Sequence, residues 1–362
     1  MRHVLSIATL CALLGGLSSP VFSQPSGAMG EHFIYIVEPG DTLSKLAELY
    51  TTRSTQWRRL QDLNQVADEL KLPIGKQIKI PFSMIPVVAT EAALVHYTGP
   101  VWINDKAAHK NALKTGDIIR TGSNGFATLR LEDQSTLTLP SNSLLRIKQL
   151  NAFERTRLSD AILELEQGSV ESRVAPAQSG VGRFEIHTPL SITGVRGTNL
   201  RVHTDEALSR TELLSGQAHL NTAQIQFQNL YKAQGAAVHA DGSYAMSPLL
   251  PAPVLSEPVR GKKGWETAIQ PVTSADHYVV HIALDETGSH AIRRFNLAAD
   301  ELTAYLRPTG PGQHYAFIRA VDQNGLMGLD ASVSYPGQEV LVSSNGDPVL
   351  SQDGQAILLN EY

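Results

Sequence analysis

Cysteine is almost absent from this sequence, and its absence excludes several kinds of chemistry. The single Cys11 lies in an apolar run, 4–17, that follows Arg2 and precedes the small-residue pattern at 21–23. This is the pattern of a cleavable signal peptide over residues 1–23, so we expect an exported mature chain with no thiol. Such a chain has neither a cysteine nucleophile nor disulfide bonds, and export without disulfides favours a bacterial periplasm.

Blocks of basic charge and long apolar segments are also missing after the amino end. The 30 Lys and Arg residues are scattered among 35 Asp and Glu, and the net charge is −5. This even, slightly acidic distribution argues against a nucleic-acid partner or an anionic membrane. Because no later apolar run reaches the ~18 residues that a spanning helix needs, we do not expect an integral membrane protein.

Familiar catalytic and metal-binding motifs are absent as well. The sequence has no His-Glu-x-x-His, His-x-His or Gly-x-Ser-x-Gly motif and no Gly-Lys phosphate loop. We therefore predict no catalytic residue, no metal site, no cofactor and no enzyme activity. The even spacing of His187, His203 and His219 leaves metal binding open as an alternative, although no cysteine or carboxylate pattern accompanies them. A cell-wall hydrolase with an unrecognised pair of carboxylates is a further alternative.

A compact strand–helix–helix–strand pattern occupies residues 31–82. Thr42 has the side chain of a helix N-cap, and the apolar residues that follow it recur at helical spacing. A second helix with Trp57 precedes an alternating strand that ends at Pro81. About 50 residues are near the small end for a domain with its own core.

These elements resemble a LysM module in their order and their motifs. The matching segments are Tyr35-x-Val37-x-x-Gly40-Asp41-Thr42-Leu43, Ala47-x-x-Tyr50, Leu60-x-x-Leu63-Asn64 and Gly75-x-x-Ile78-x-Ile80-Pro81. The resemblance implies binding of N-acetylglucosamine-containing glycans, most simply peptidoglycan, in a groove between two loops. The carbohydrate-binding residues that it implies are Gly40, Asp41, Thr42, Leu43, Leu70, Lys71, Leu72, Pro73 and Ile74. In the binding role, Leu72 and Ile74 would form an apolar floor for sugar faces. A purely structural role stays open for each residue, with Asp41 and Thr42 as capping residues and Leu72 in the core.

After a linker predicted at 83–100, residues 101–240 show short alternating strands separated by polar turns. Regular short strands of this kind predict an all-β domain, either a sandwich or a solenoid. A faint internal repeat, "ELEQGSV" from Glu164 and "ELLSGQA" from Glu212, predicts a strand, a glycine turn and a strand in each copy.

The stretch "TPLSITGVRGTNLRV" is the most distinctive part of this region. Together with "LKTGDIIRTGSNGFATLRLEDQSTLTL" and "LELEQGSVESRV" it resembles the FecR periplasmic β-domain, with Val195, Arg196, Gly197 and Thr198 as the signature. The resemblance implies a periplasmic β-scaffold for contact with a protein partner. Transmembrane signalling does not carry over, since the predicted mature chain has no spanning helix. Arg196 could face a ligand or bond loop carbonyls.

The rear of the chain begins with a proline-rich linker at 247–258. A strand pattern at 259–336 resembles a fibronectin type III-like sandwich, with Tyr315 at the place of a tyrosine corner. His277 and His281 share one face of a predicted strand, where we expect them to be exposed. The tail at 337–362 is rich in turn residues and has no assigned structure.

These observations predict a multidomain, mainly β, non-enzymatic periplasmic protein. Its LysM-like module would bind peptidoglycan, and its β-rich remainder would present a surface to an envelope protein that the sequence does not identify. The alternative is a periplasmic sensor or regulator that acts through the FecR-like domain.

Overall fold

The computed structural model describes residues 28–29, 31–109, 112–156, 158–174, 182–224, 228–261, 264–307 and 310–338, with 341, 343, 349–350, 357 and 359. Strands hold 55% of the described residues and helices 8%, so the prediction of a mainly β protein is confirmed. The predicted signal peptide and most of the predicted tail lie outside the described residues. Neither α-helix in the described ranges is long and apolar enough to cross a membrane.

The amino-terminal module combines a small sheet with two helices. Its elements are β1 (Ala28–Met29), β2 (His32–Ile36), α1 (Leu43–Thr51), α2 (Trp57–Asn64) and β3 (Gln77–Pro81), followed by a 3-10 turn, Phe82–Met84. The sheet is antiparallel with the order β1-β2-β3. Apolar side chains from both helices and both longer strands form one core, because α1 and α2 each turn an apolar face to the sheet.

Asn64 joins the second helix to the last strand of the module. Its side-chain Nδ2 donates to the carbonyls of Leu60 and Lys79, and its Oδ1 accepts from the Lys79 amide at 2.7 Å. One side chain therefore ends α2 and pairs with the backbone of β3.

A large sheet of 16 strands forms the middle of the chain. Its strands are β4 (Val87–Ala89), β5 (Ala92–Thr98), β6 (Val101–Ile103), β7 (Lys106–Ala107), β8 (Ala112–Leu113), β9 (Ile118–Thr121), β10 (Phe126–Arg130), β11 (Thr136–Leu139), β12 (Leu144–Phe153), β13 (Leu158–Arg173), β14 (Arg183–His187), β15 (Ile192–Thr204), β16 (Leu208–Asn221), β17 (Gln228–Tyr231), β18 (Gln234–His239) and β19 (Tyr244–Pro248). They enclose one continuous apolar core. All described pairs are antiparallel except β13 with β14.

The long strands of this sheet change neighbours halfway. The first half of β13 pairs with β12 and β14, and its second half pairs with β11 and β15. Likewise, β16 pairs with β18 in its first half and with β17 in its second. Gly168 and Gly216 lie at the changes with φ of +86° and +82°, a conformation that favours glycine. The two repeat copies are therefore bends within long strands, and the prediction of a turn between two strands is wrong.

The interval 83–100 differs from the predicted linker. Residues 87–89 pair with β12, and residues 93–98 pair with β10, so both belong to the large sheet. The proline of this interval, Pro86, lies immediately before β4, where a missing N–H is tolerated. The predicted linker at 247–258 also begins within β19 and then continues as extended chain with Leu249 buried.

The carboxy-terminal unit consists of two antiparallel sheets with a core between them. The three-stranded sheet has the order β20-β21-β24 and the four-stranded sheet the order β23-β22-β25-β26. The strands are β20 (Val259–Gly261), β21 (Gly264–Ala268), β22 (His277–Ala283), β23 (Ala291–Ala298), β24 (Thr303–Leu306), β25 (Gly310–Val321) and β26 (Ala331–Gln338).

Strands β22 and β25 are buried on both faces. Tyr278, Val280 and Ile282 face the core of the unit, whereas the alternate residue Val279 packs with Val321 in a separate apolar cluster. The second face is covered by the large sheet, and His281 is only 2% exposed. The prediction that His281 is exposed is therefore wrong.

Candidate functional site

Two loops lie side by side at one end of the amino-terminal module. The first, 37–42, precedes α1, and the second, 65–76, precedes β3. The Leu43 amide donates to the Glu69 carbonyl at 3.0 Å, and the Gly75 amide donates to the Val37 carbonyl at 2.9 Å. These backbone bonds fix the spacing of the two loops that the LysM resemblance singles out.

Asp41 and Thr42 are used inside the module. Asp41 Oδ2 accepts from the Tyr35 hydroxyl at 2.8 Å and from the Glu38 amide at 2.7 Å. The hydroxyl of Thr42 caps α1 by accepting from the Lys45 amide at 3.2 Å. Burial and the hydrogen bond to Asp41 raise the pKa of Tyr35, so it stays a neutral donor. Thr42 therefore has the capping role that the sequence left open, whereas Asp41 has a structural role of a different kind, since it bonds Tyr35 and Glu38.

Gly40 is at the exposed tip of the first loop. Its φ is +87°, and a Cβ atom there would meet nothing within 4 Å. Its carbonyl accepts from Lys45 Nζ at 2.8 Å. The turn thus needs glycine for its backbone conformation, and the space beside it is open to a ligand.

The second loop presents two of its apolar side chains to solvent. Leu70 is 65% exposed and Ile74 is 70% exposed, with the exposed Lys71 and Pro73 beside them. Leu72 is only 9% exposed and packs in the module core. The apolar surface beside the first loop therefore consists of Leu70 and Ile74, whereas the sequence suggested Leu72 and Ile74.

Leu43 and the FecR-like signature are largely interior. Leu43 is fully buried beneath the loops. Val195 and Thr198 are at most 3% exposed in β15, where the pairing register with β16 shifts between Arg196 and Asn199. The side chains at 196–197 lie outside the described part of the chain. The described signature residues thus sit at a bend of the large sheet.

The three evenly spaced histidines do not meet. His187 Nε2 lies 2.6 Å from Glu185, and His219 Nδ1 lies 2.7 Å from the Asn229 side chain. His203 contacts a third partner, Ser169, at 2.8 Å. Within the described ranges no three metal-ligating side chains come together.

Ser169, His203 and Asp205 form a line that resembles a hydrolytic triad. The Asp205 carboxylate is 3.7 Å from His203 Nε2, which is too long for a hydrogen bond. Burial and Arg210 lower the pKa of His203 to about 4. An imidazole with this pKa is a weak general base near neutral pH, so the line lacks the properties of a hydrolase site.

A cluster of buried charges joins the large sheet to the carboxy-terminal unit. Arg319 donates to Glu171 at 2.9 Å, and its Nε lies 2.7 Å from Asp330 Oδ1. Arg201, from the sheet, bonds the same Asp330, and both arginines are 1% exposed. Burial opposes ionisation of Glu171, but Arg319, Arg201 and Arg294 lower its pKa far below the ordinary range. We call Glu171, Arg201, Arg294, Arg319 and Asp330 the ion cluster.

Glu212 lies at the edge of the ion cluster and differs from Glu171 in its ionisation. Its Oε1 accepts from the Met327 amide at 3.2 Å. Burial raises the pKa of Glu212 to about 7, although Arg201 and Arg210 act in the opposite direction. Sequence reasoning missed this glutamate and the ion cluster, because their partners are more than 100 residues away along the chain.

The tyrosine corner predicted at Tyr315 is not present there. The Tyr315 hydroxyl donates to the side chain of Glu286 at 3.3 Å. The tyrosine that bonds the backbone is Tyr278, whose buried hydroxyl accepts from the Val272 amide at 2.9 Å. The sequence placed the corner tyrosine on β25, whereas Tyr278, which bonds the backbone, lies on the neighbouring β22.

Two segments of the chain match known families. Residues 35–81 match the family described as LysM domain, and residues 117–219 match the family described as FecR protein. Together these matches span less than half of the chain, and neither reaches the carboxy-terminal unit. No curated protein matches the chain in sequence.

Solved structures also include similar chains. Two crystal structures of a candidate anti-sigma factor from Parabacteroides distasonis align with 15% and 13% identity, each with a TM-score of 0.30. Each alignment covers 36% of this chain and 59% of that chain. A likeness this weak carries no argument about function.

Proposed function

We propose that this chain is a non-catalytic protein of the bacterial envelope that binds peptidoglycan through its amino-terminal module. The LysM domain match indicates glycan binding, and it includes both loops described above. The FecR match favours a role of the large sheet in protein contact. LysM and FecR are non-catalytic families, which agrees with a binding role.

One observation carries the glycan proposal. Leu70 and Ile74 expose apolar surface beside Gly40, whose tip leaves open space and backbone groups at the same end of the module. Sugar rings bind through apolar faces and through hydrogen bonds to their hydroxyl and N-acetyl groups. The two loops offer both kinds of contact. A few such contacts correspond to a weak dissociation constant, about 10 μM to 1 mM.

Sedimentation with insoluble peptidoglycan tests this proposal. The mature wild-type protein should be depleted from the supernatant. The double variant Leu70→Ser with Ile74→Ser should bind about tenfold more weakly, because it removes the apolar contacts and leaves the core intact. Leu49→Ser is the matched control, since Leu49 is an equally apolar, 40% exposed residue of α1 outside both loops.

Point variants are preferable to deletion of the module. Phe82 stacks on Phe153 of the large sheet with ring centroids 4.3 Å apart, so deletion would expose the sheet's apolar surface. If the double variant still sediments like wild type, the two loops do not bind the wall. If Leu49→Ser is impaired as much as the double variant, loss of apolar surface in general explains the effect.

A second function, that of a sensor or regulator, is supported by the FecR match. In this case the large sheet contacts a signalling membrane protein and passes on a change of ligand state. Crosslinking in cells separates the two functions. A signalling membrane protein as the main neighbour favours the sensor, and wall-associated structural proteins favour the scaffold.

We also propose that the carboxy-terminal unit is a fibronectin type III-like sandwich, which would make it a third domain after 31–82 and the large sheet. The strand orders β20-β21-β24 and β23-β22-β25-β26 support this assignment, because three-on-four antiparallel packing is typical of such sandwiches. Domains of this kind commonly serve as spacers or protein-binding modules.

A further inference from the structure

A cavity of about 230 Å³ lies between the large sheet and the carboxy-terminal unit. It is separate from the loops of the amino-terminal module. Strands β11, β13 and β15 form one wall, and β22, β25 and β26 form the other. The side chains that matter for its chemistry are Thr138, Ser172, Asn199, His281, Phe317 and Ser332.

Four buried polar atoms on residues that line the cavity have no hydrogen-bond partner among the described residues. Two of them belong to neutral groups, namely Nδ1 of His281, which is 2% exposed, and Oγ of Ser172, which is 4% exposed. The other two are the Nε atoms of Arg201 and Arg319, which are N–H donors within the ion cluster. His281 Nε2 lies 3.0 Å from the Gly288 carbonyl, which can only accept, so Nε2 carries the proton. Nδ1 is therefore an acceptor that needs a donor from within the cavity. Burial keeps the imidazole neutral by lowering its pKa.

The buried charges of the cavity wall are paired with each other. Glu171 is bonded to Arg319 at 2.9 Å, and Asp330 is bonded to Arg201. Arg173, at the cavity's edge, donates to the Thr287 carbonyl at 2.9 Å. Each buried charge of the described cavity wall thus has a partner of opposite charge, whereas Arg173, whose partner is a carbonyl, is exposed at the edge. The preference for an uncharged ligand therefore rests on His281 Nδ1, which needs a donor.

We propose that this cavity binds a small, uncharged molecule that carries hydroxyl or amide N–H groups and has about the size of one sugar ring. Its donors bond His281 Nδ1, and its hydroxyl oxygens accept from or donate to Ser172 and Asn199. The ring of Phe317 provides a face for the apolar side of the molecule. A fully deprotonated anion brings no donor for His281 Nδ1 and leaves that nitrogen unpaired.

Imidazole ¹⁵N NMR of the full mature chain tests the proposal directly. The probes are N-acetylglucosamine, glucose and inorganic sulfate, each at up to about 10 mM. The Nδ1 resonance of His281, assigned with His281→Gln, should shift when a sugar donates to it. Sulfate should leave it unchanged. The loop variant Leu70→Ser with Ile74→Ser should keep the His281 shift, so this test is independent of wall binding.

Two pairs of variants locate the binding. Ser332 is exposed at the mouth, so Ser332→Trp should block entry and abolish the shift, whereas Ser334→Trp, on the same exposed face of β26, should preserve it.

Ser172→Ala should weaken binding about fivefold, because one hydrogen bond is lost. Ser169→Ala is its control, since it removes a buried hydroxyl from the same strand outside this cavity.

Three results would overturn the proposal. The first is a His281 resonance that neither sugar moves. The second is a response to sulfate in place of the sugars, which would make this an anion site. The third is Ser332→Trp binding with wild-type affinity, which would place the sugar elsewhere on the protein.

Discussion

The large sheet is attached to its two neighbours by contacts of opposite chemistry. On the amino-terminal side, Phe82 and Ile85 pack with Phe153 and Leu158 in one apolar core. On the carboxy-terminal side the contact is made by the ion cluster and by bonds from side chains to the backbone, such as that between His96 Nε2 and the Ala291 carbonyl, 3.0 Å apart. Apolar contacts are non-directional and insensitive to pH, whereas buried charges need every partner in place. The two attachments should therefore fail under different conditions.

The chain's three tryptophans allow the two attachments to be followed separately. Trp57 lies in the amino-terminal module, Trp102 in the large sheet and Trp265 in the carboxy-terminal unit. Replacing any two of the tryptophans by phenylalanine gives three single-tryptophan variants, each of which reports on one unit. Urea unfolding of such single-tryptophan proteins provides the background for the following four predictions.

The largest effect should come from removing one charge of the ion cluster. Glu171→Ala leaves Arg319, Arg201 and Arg294 with too few buried carboxylates. We expect the free energy of unfolding reported by Trp265 to fall by about 3–5 kcal/mol. Trp57 should report a much smaller change. Equal losses at both reporters would show that the two attachments unfold as one unit.

Phe153→Ala should give the next largest effect, on the opposite side of the large sheet. The ring is 4% exposed and stacks on Phe82, so its loss should cost about 3 kcal/mol at the Trp57 reporter. This loss should be the same at pH 5 and pH 8, because no ionisable group takes part. A pH-dependent loss would contradict the apolar character of this attachment.

Glu212→Gln should stabilise the protein at high pH. Between pH 4.5 and 7 the unfolded chain ionises this carboxyl and the folded protein does not, so stability falls as pH rises. At pH 8 the variant should exceed wild type by on the order of 1–2 kcal/mol, and at pH 4.5 the two should be nearly equal.

Two histidines act in the opposite direction in part of this range. The pKa values of His203 and His281 are lowered, so their contribution to stability is lost as pH falls below 6.5. Both histidines remain in Glu212→Gln, and the difference between variant and wild type therefore isolates Glu212. A constant difference from pH 4.5 to 8 would show that Glu212 does not titrate in this range.

The smallest effect should come from the exposed charges of the large sheet. Arg146 pairs with Glu164 and Glu166 at 3.6 and 3.0 Å, and all three side chains are about one-third exposed. Arg146→Ala should lower the free energy of unfolding by less than about 0.5 kcal/mol, and the loss should vanish in high salt. A loss like that of Glu171→Ala would remove the distinction between buried and exposed pairs.

Local patterns predicted the amino-terminal module well, since its contacts are close in sequence. The Thr42 cap, the apolar faces of both helices and the strand that ends at Pro81 are all present. The same patterns placed the candidate glycan residues on two loops. They did not show that Leu72 points inward while Leu70 points outward, because a loop has no fixed period.

Long-range packing was not predictable in the same way. Alternation along β22 suggested that His281 would face solvent, yet a second layer covers that face. The partners in the ion cluster, Glu171 and Arg319, are 148 residues apart. Alternation along a strand shows that its two faces differ. It does not show whether solvent or another layer of the protein covers each face. The sequence shows glycines such as Gly168, but it does not show that the strand changes its pairing partners there.

The short distance between the amino-terminal module and the large sheet has a mechanical consequence. β4 begins three residues after the turn that ends at Met84, and its register with β12 is fixed from Val87 onward. The amino-terminal module, to whose loops we assign the glycan, and the large sheet are thus joined without a long flexible segment. If the loops bind peptidoglycan as proposed, a force on the wall would act directly on β4, and the protein would keep a fixed angle to the wall. Insertion of flexible residues at this junction would remove the fixed angle and let the amino-terminal module move independently of the large sheet.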